Sequence, residues 1–359
     1  MDYQGRLLRL RQMLRDSEID ALLVTNPINR QYMSGFTGSA GYLVITMDAA
    51  VLFTDFRYRS QAPEQVVGFD VIEHGLTPID TIHNWLREQR ITRLGFEEDT
   101  VVYGQFTSIQ HTLSGISLKP TSSWIEKLRM VKDDVEISIM TEAALLADRT
   151  FEYIVQRIKP GISERQVALD IEFFMRSQGA TSSSFDTIVA SGERSALPHG
   201  VASDRIIQNN EFVKLDFGAY YKDYCSDITR TIFVGKPTEK HLEIYNIVLE
   251  AQLAGLDGIR PGMRGNEVDA LTRDVIKRYG YNGYFGHGTG HGLGMEIHEA
   301  PRLSQSGETI LEAGMTVTVE PGIYLPGFGG VRIEDDVVLT NNGAVRLTQS
   351  TKQLIVINS

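Results

Sequence analysis

The chain has 359 residues, 42% hydrophobic and 23% charged, an ordinary globular composition but more than one core usually accommodates, so two domains are expected. A formal net charge of −11, from 46 acidic against 35 basic residues, repels polyanions and argues against nucleic acid as a partner, although much of the acidic excess can serve solubility alone. The single cysteine, Cys225, excludes an intrachain disulfide and a Cys-rich zinc site.

The first expected element is an amphipathic helix within Met1 to Asp20, where Leu and Arg recur among acidic residues and no apolar signal core is present. No later run is long enough to span a membrane, so a cytoplasmic protein without membrane contact is expected. From Ala21 the short apolar runs ALLVT, GYLVIT and AAVLFT alternate with turn residues, and helical periodicity follows near Ile79 to Gln89 and Tyr103 to Thr112, the pattern of an α/β domain. Between Lys119 and Asp134 the sequence KPTSSWIEKLRMVKDD turns polar before a long helical period begins at Val135. The boundary is placed near residue 125, giving domains 1–125 and 126–359.

The second part contains a repeat: KPGISERQVALDIEFFMRSQGA (Lys159 to Ala180) aligns without gaps on RPGMRGNEVDALTRDVIKRYGY (Arg260 to Tyr281). Pro160 matches Pro261, Gly161 matches Gly262, Val167 matches Val268 and Gly179 matches Gly280. Each copy follows another helical stretch that ends at the Pro-Gly, so each unit reads helix, break, helix, then strands. Helix-Pro-Gly-helix is also a common local pattern, and two copies are fewer than a solenoid needs. A duplicated α+β fold with pseudo-twofold symmetry is expected, with a site between the halves.

The segment EFVKLDFGAYYKDYCSDITRTIFVG shows strand alternation on both sides of a turn, with Val213, Leu215 and Phe217 on one face. A hairpin centred between Tyr221 and Lys222 places Asp216 directly opposite Asp227, on the face away from Val213 and Leu215. Like charges so placed repel unless a cation lies between them. Taken alone, such a pair is more often a hydrogen-bonded turn or a solvated face than a metal site. Further donors lie downstream: YFGHGTGHGLGMEIHEAP carries His287, His291 and His298 among glycines, MTVTVEPG ends a strand at Glu320, and VRIEDDVVL puts Arg332 and Glu334 on one face. Oxygen-rich donors with one imidazole suit Mn²⁺ better than a structural zinc, with Zn²⁺, Co²⁺ and Fe²⁺ as the other choices.

LDFG followed by SDITRT, then HGTGHGLGMEIHE, TVEPGIY and GVRIEDD, resemble the pita-bread metallopeptidases, specifically the Xaa-Pro dipeptidase and aminopeptidase P branch, and the likeness spans nearly the whole chain. The resemblance implies a creatinase-like α/β N-terminal domain, carried by GFTGSAG and LFTDFRY, ahead of an α+β pita-bread catalytic domain. It also implies two metal ions, with Asp216 on one, His291 and Glu320 on the other, and Asp227 and Glu334 bridging. Outer-sphere histidines map onto His199 in ALPHG and onto His298, and these with Glu320 are the expected catalytic groups. His199, His298, Tyr324 and Arg332 are the expected walls of a pocket for the proline ring, with Arg332 as an alternative counter-charge to the carboxylates. The implied substrate is a proline-containing di- or oligopeptide, and the implied assembly a homodimer in which Asp55 and Arg57 reach across a subunit boundary, unless they form a plain surface ion pair. Cys225 is read as a small packing residue. Two other readings of the same architecture are a metal-free creatinase-like hydrolase and a non-catalytic binding module; the retained ligand set speaks against both.

Overall fold

A computed structural model describes residues 1–358. They form two compact units that divide after Arg129, within the helix Trp124–Met130, which also contains residue 125.

In the first unit, the amphipathic pattern becomes the helix Tyr3–Asp16, with Asp2 accepting from Gly5 N at its start and Leu7, Leu10 and Leu14 buried. The three apolar runs become the strands Ala21–Val24, Tyr42–Thr46 and Ala50–Thr54, and the expected helices are Pro78–Glu88 and Tyr103–Thr112. Ala21–Val24 pairs antiparallel with Tyr42–Thr46 and parallel with Arg93–Glu97, near the middle of a six-stranded mixed sheet. Leu23, Val44 and Phe53 from the sheet meet Ile82, Leu86 and Ile109 from the two helices in one core.

The second unit is built twice. The aligned segments fold as the helices Glu164–Ser177 and Gly265–Arg278, preceded by the long helices Asp134–Val155 and Glu239–Gly258. Gly161 and Gly262 both take left-handed backbone, at φ 93° and 90°, and so do Gly179 and Gly280, at 107° and 82°. Only a residue without Cβ enters that region at little cost. The equivalence extends to long-range bonds: Gly161 N donates to Ile207 O, and Gly262 N donates to Leu311 O.

Each helix pair covers a sheet of its own. The first half carries a four-stranded sheet with Glu211–Phe217 between Ile188–Ser191 and Ile228–Val234, and Val213, Leu215, Phe217 and Ile232 pack on Phe151, Val167 and Ile171. The second half carries a five-stranded sheet in which Thr316–Val319 lies between Gly290–Gly292 and Asp335–Thr340, with Val317, Val319 and Val337 packed on Ile259 and Val268. No helix among the described residues is long and apolar enough to cross a membrane.

Two sequence expectations need correction in the strands. The hairpin turns at Lys222 and Asp223, whose φ values of 47° and 71° give the two-residue left-handed turn that matches strand twist, so Asp216 faces Thr229 and not Asp227. The turn closes one residue later than expected; a shift of two in the partner keeps every side chain on its face, and Asp216 and Asp227 become diagonal neighbours. VRIEDDVVL, in turn, is not one strand. Gly329–Arg332 pairs with Gly322–Leu325, the chain breaks at Ile333 and Glu334, and Asp335–Thr340 pairs with Thr316–Val319.

Candidate metal centre

A cavity of about 440 Å³ opens between the two halves of the second unit. The sheet faces opposite the two cores supply its polar wall: Asp216 and Asp227 come from the hairpin, His291 from Gly290–Gly292, Glu320 from just after Thr316–Val319, Arg332 from the end of Gly329–Arg332 and Glu334 from the strand break itself. His199 and His298 also line it, with Phe185, Ile188, Val201 and Ile297 as apolar lining.

Asp227, His291 and Glu334 offer ligand atoms all within 4.8 Å of one another. His291 Nδ1 faces its neighbour's carbonyl, Gly292 O, at 3.1 Å, so the network assigns the proton to Nδ1 and leaves the Nε2 lone pair directed inward. That lone pair stands 3.4 Å from Glu320 Oε1 and 3.7 Å from Asp227 Oδ2. Burial holds the imidazole neutral, its pKa pushed down to about 3. A lone pair facing two carboxylates repels both, and the Asp227 Oδ1 atom is buried without a hydrogen-bond partner. A divalent cation among them satisfies all of these groups at once, and the donor set of one imidazole and several carboxylates fits a hard or borderline ion.

The electrostatics agree. Burial first, and mutual repulsion second, drive the Asp227 and Glu334 carboxyls well above their usual range; burial pushes Glu320 up to about 7 despite Arg332 nearby. These groups have too little positive charge of their own. Arg332, buried, is the one guanidinium that enters the cluster deeply: it donates to Asp216 Oδ2, to Thr229 Oγ1 at 3.0 Å, to Tyr324 Oη at 3.0 Å and to Pro198 O at 3.0 Å. Arg332 therefore neutralises Asp216 and leaves Asp227 and Glu334 to a cation. Thr229 Oγ1 donates to Glu334 Oε2 at 2.6 Å, and Asp336 Oδ2 accepts from Asp227 N at 2.8 Å, so the Glu334 carboxylate and the Asp227 backbone are fixed from behind.

The structure gathers His199, Asp216, Asp227, His291, His298, Glu320, Arg332 and Glu334 at one cavity. Tyr324 stands apart from the wall. Its side chain is buried behind Arg332, and its hydroxyl accepts from Arg332 and donates to His287 Nε2 at 2.7 Å. His298 lies against His291, ring centroids 4.4 Å apart. His287 also lines the cavity, although it was not among the expected ligands, catalytic groups or pocket walls; its Nδ1 bonds Gly288 O, and burial lowers its pKa to about 3. Thr229 and Asp336 were also missed, because threonine does not signal a metal site and the contacts of both span more than a hundred residues of chain. Cys225 is buried, with its thiol pushed up to about 12 by burial, which makes it unreactive packing. Asp55 and Arg57 form an exposed ion pair at 2.7 Å in the first unit.

Comparison with known proteins places this geometry. Residues 138–341 match the model of metallopeptidase family M24, and residues 6–131 match the creatinase/prolidase N-terminal domain. The Xaa-Pro dipeptidase of Pyrococcus furiosus is 42% identical over 98% of this chain and 99% of its own. Among solved structures, an Xaa-Pro dipeptidase from Bacillus anthracis superposes with a TM-score of 0.97 at 54% identity, covering 99% of this chain and 100% of its own. An X-Pro aminopeptidase from Thermotoga maritima gives 0.91 at 38% identity, over 96% and 100% respectively.

Proposed function

The chain belongs to metallopeptidase family M24, and from that premise we propose that it is an exopeptidase that hydrolyses Xaa-Pro bonds with two divalent ions, Mn²⁺ foremost. The observation that carries the reading is the buried group of Asp227, His291 and Glu334, with the unpartnered Asp227 Oδ1 and the inward Nε2 lone pair of His291. Asp216, Asp227, His291, Glu320 and Glu334 would hold the ions, with Asp227 and Glu334 shared between them. Bound divalent cations supply Lewis acidity toward the scissile carbonyl and a water nucleophile at neutral pH.

The remaining chemistry falls to side chains. Glu320, on the cavity wall 3.4 Å from His291, would take a proton from water and pass it to the leaving prolyl nitrogen, which as part of a tertiary amide carries no proton of its own. His199 and His298, at the rim of the cavity, orient the peptide and donate to the oxygen that gains charge. Arg332 and the Tyr324–His287 relay behind it hold the polar wall rigid, which pre-orients Asp216 before substrate arrives. Phe185, Ile188, Val201 and Ile297 offer the apolar surface a pyrrolidine ring needs. We place the enzyme in the cytoplasm as a homodimer, with the exposed Asp55 and Arg57 pair presented to a partner subunit.

The retained donor set disfavours both a metal-free hydrolase and a binding module. Purified protein freed of metal by a chelator should lose activity on Xaa-Pro dipeptides and regain it with Mn²⁺ or Co²⁺; full turnover by demonstrably metal-free protein would refute the metal reading. Replacing the substrate proline by alanine should remove most of the activity, and equal kcat/KM on Xaa-Ala and Xaa-Pro would remove the proline assignment alone. Xaa-Pro dipeptides assayed beside Xaa-Pro-Xaa tripeptides decide between dipeptidase and aminopeptidase action.

A further inference from the structure

Lys214 is fully buried on the strand Glu211–Phe217, and it is the residue for which the metal chemistry gives no use. Strand alternation puts it on the same face as Asp216, across from Thr231 and Ala190. Among the described residues no carboxylate pairs with its ammonium. Its Nζ instead donates to Leu197 O at 2.5 Å and to Pro198 O at 3.3 Å, and lies 5.1 Å from the centre of the Tyr324 ring. A buried lysine with no carboxylate in hydrogen-bonding reach is costly to retain, and hydrophobic residues of similar volume fill strand interiors without that cost.

What the two carbonyls carry explains its place. Leu197 and Pro198 immediately precede His199, in the exposed stretch that follows the short helix Gly192–Ala196. Among the described residues the His199 imidazole makes no hydrogen bond of its own, so its position is set by its backbone. That backbone is held from three directions: Lys214 on Leu197 O and Pro198 O, Arg332 Nη1 on Pro198 O, and Val201 N on His199 O. Lys214 and Arg332 come from different strands, both also bordering Asp216, so one rigid frame ties the loop of His199 to the carboxylate cluster.

We propose that Lys214 is a positioning residue that fixes His199 over the cavity by clamping the Leu197 and Pro198 carbonyls. The inference rests on the reading of His199 as a substrate-facing group. Among the described residues the hydrogen bonds of Lys214 go to that loop and to none of the metal ligands, so its removal is expected to leave those ligands in place.

The test is a double-mutant cycle with a spectroscopic arm. K214M, H199A and the double variant are compared for metal content, for kcat and KM on an Xaa-Pro dipeptide, and by ¹³C-histidine NMR, with the His199 signal identified by its absence in H199A. The expected result for K214M is unaltered metal stoichiometry, a shifted or broadened His199 signal, and a 10- to 100-fold fall in kcat/KM on the same parameter, kcat or KM, that H199A changes. The double variant should be no slower than H199A, since the clamp has nothing left to position. If K214M does not fold, K214R, which keeps donors at an altered reach, goes through the same cycle. An unchanged His199 signal, or losses that multiply in the double variant, would overturn the proposal. Full activity in H199A would instead overturn the role of His199 itself.

Discussion

Asp216 and Asp227 are the same residue type on the same hairpin face, yet the structure gives them different work. Asp216 has a guanidinium already against it, whereas Asp227 has a buried oxygen with no partner and a backbone N–H held by Asp336. If Asp227 is shared between two ions, D227N should lower metal content and activity more than D216N, read by elemental analysis and kcat/KM on an Xaa-Pro dipeptide; equal losses would count against that division. H298A should keep both ions while activity falls on the order of 10²–10⁴-fold, the range for a positioned acid-base or hydrogen-bonding group. Loss of an ion from H298A would place that imidazole among the ligands instead. The acidic and imidazole side chains that converge on the cavity were legible in the sequence because Asp, Glu and His stand out against strand alternation. Lys214, Thr229 and Tyr324 were not, or not correctly, because what they touch is decided by chain segments far away in sequence: Lys214 by the loop at Leu197, Thr229 by Glu334, Tyr324 by His287.

At the scale of the element, the repeat could be read because its Pro-Gly breaks are demanded by the backbone. Gly161 and Gly262 have left-handed φ, and a Cβ built at either meets nothing within 4 Å. A substitution there meets only the conformational cost of that region, about 1–2 kcal/mol for a residue with a Cβ. G161A and G262A should therefore destabilise the second unit by similar amounts, and the double variant by their sum, since the turns lie in different halves and share no partner. Denaturant midpoints with unchanged slopes would measure this; a strongly unequal pair would mean that the two turns are not equivalent. The hairpin register was less legible for a related reason. Lys222 is neither glycine nor a residue that favours positive φ, so only Asp223 hints at the left-handed pair that sets the turn one residue later. The break at Ile333 was hidden similarly, because VRIEDDVVL alternates well enough for one strand and the change of partner depends on which sheet edge lies nearer.

On the scale of the whole second unit, each half contributes part of one charge cluster: Asp216 and Asp227 from the first, His291, Glu320 and Glu334 from the second. Without a cation the two sheets press buried carboxylates together, and stability must then depend on pH in a definite direction. Asp227 and Glu334 are driven well above ordinary values of 3.8 and 4.5, and Glu320 from 4.5 to about 7. A carboxyl whose pKa is raised by folding contributes stability that is complete below its unfolded value and is lost as pH rises through its folded value. His287 and His291 run the other way, because folded values of about 3 against an ordinary 6.5 make folding more favourable as pH climbs toward 6.5. Between 4.5 and 6.5 the two trends offset. Above 6.5 the histidines are neutral in both states; the raised carboxyls of Asp227, Glu320, Glu334 and Asp336 continue to titrate and outnumber the opposing group Lys214, whose pKa burial lowers well below its usual value. The metal-free protein should therefore lose thermal stability steadily from pH 6.5 to about 8, while the metal-loaded protein, whose carboxylates are ionised on the cation throughout, should stay nearly level over the same span. Thermal unfolding of chelated and Mn²⁺-loaded protein across that range reads the difference. A metal-free midpoint that held constant or rose would mean that the halves relax apart and rehydrate their carboxylates, so that the cluster is assembled by the cation and not by the fold.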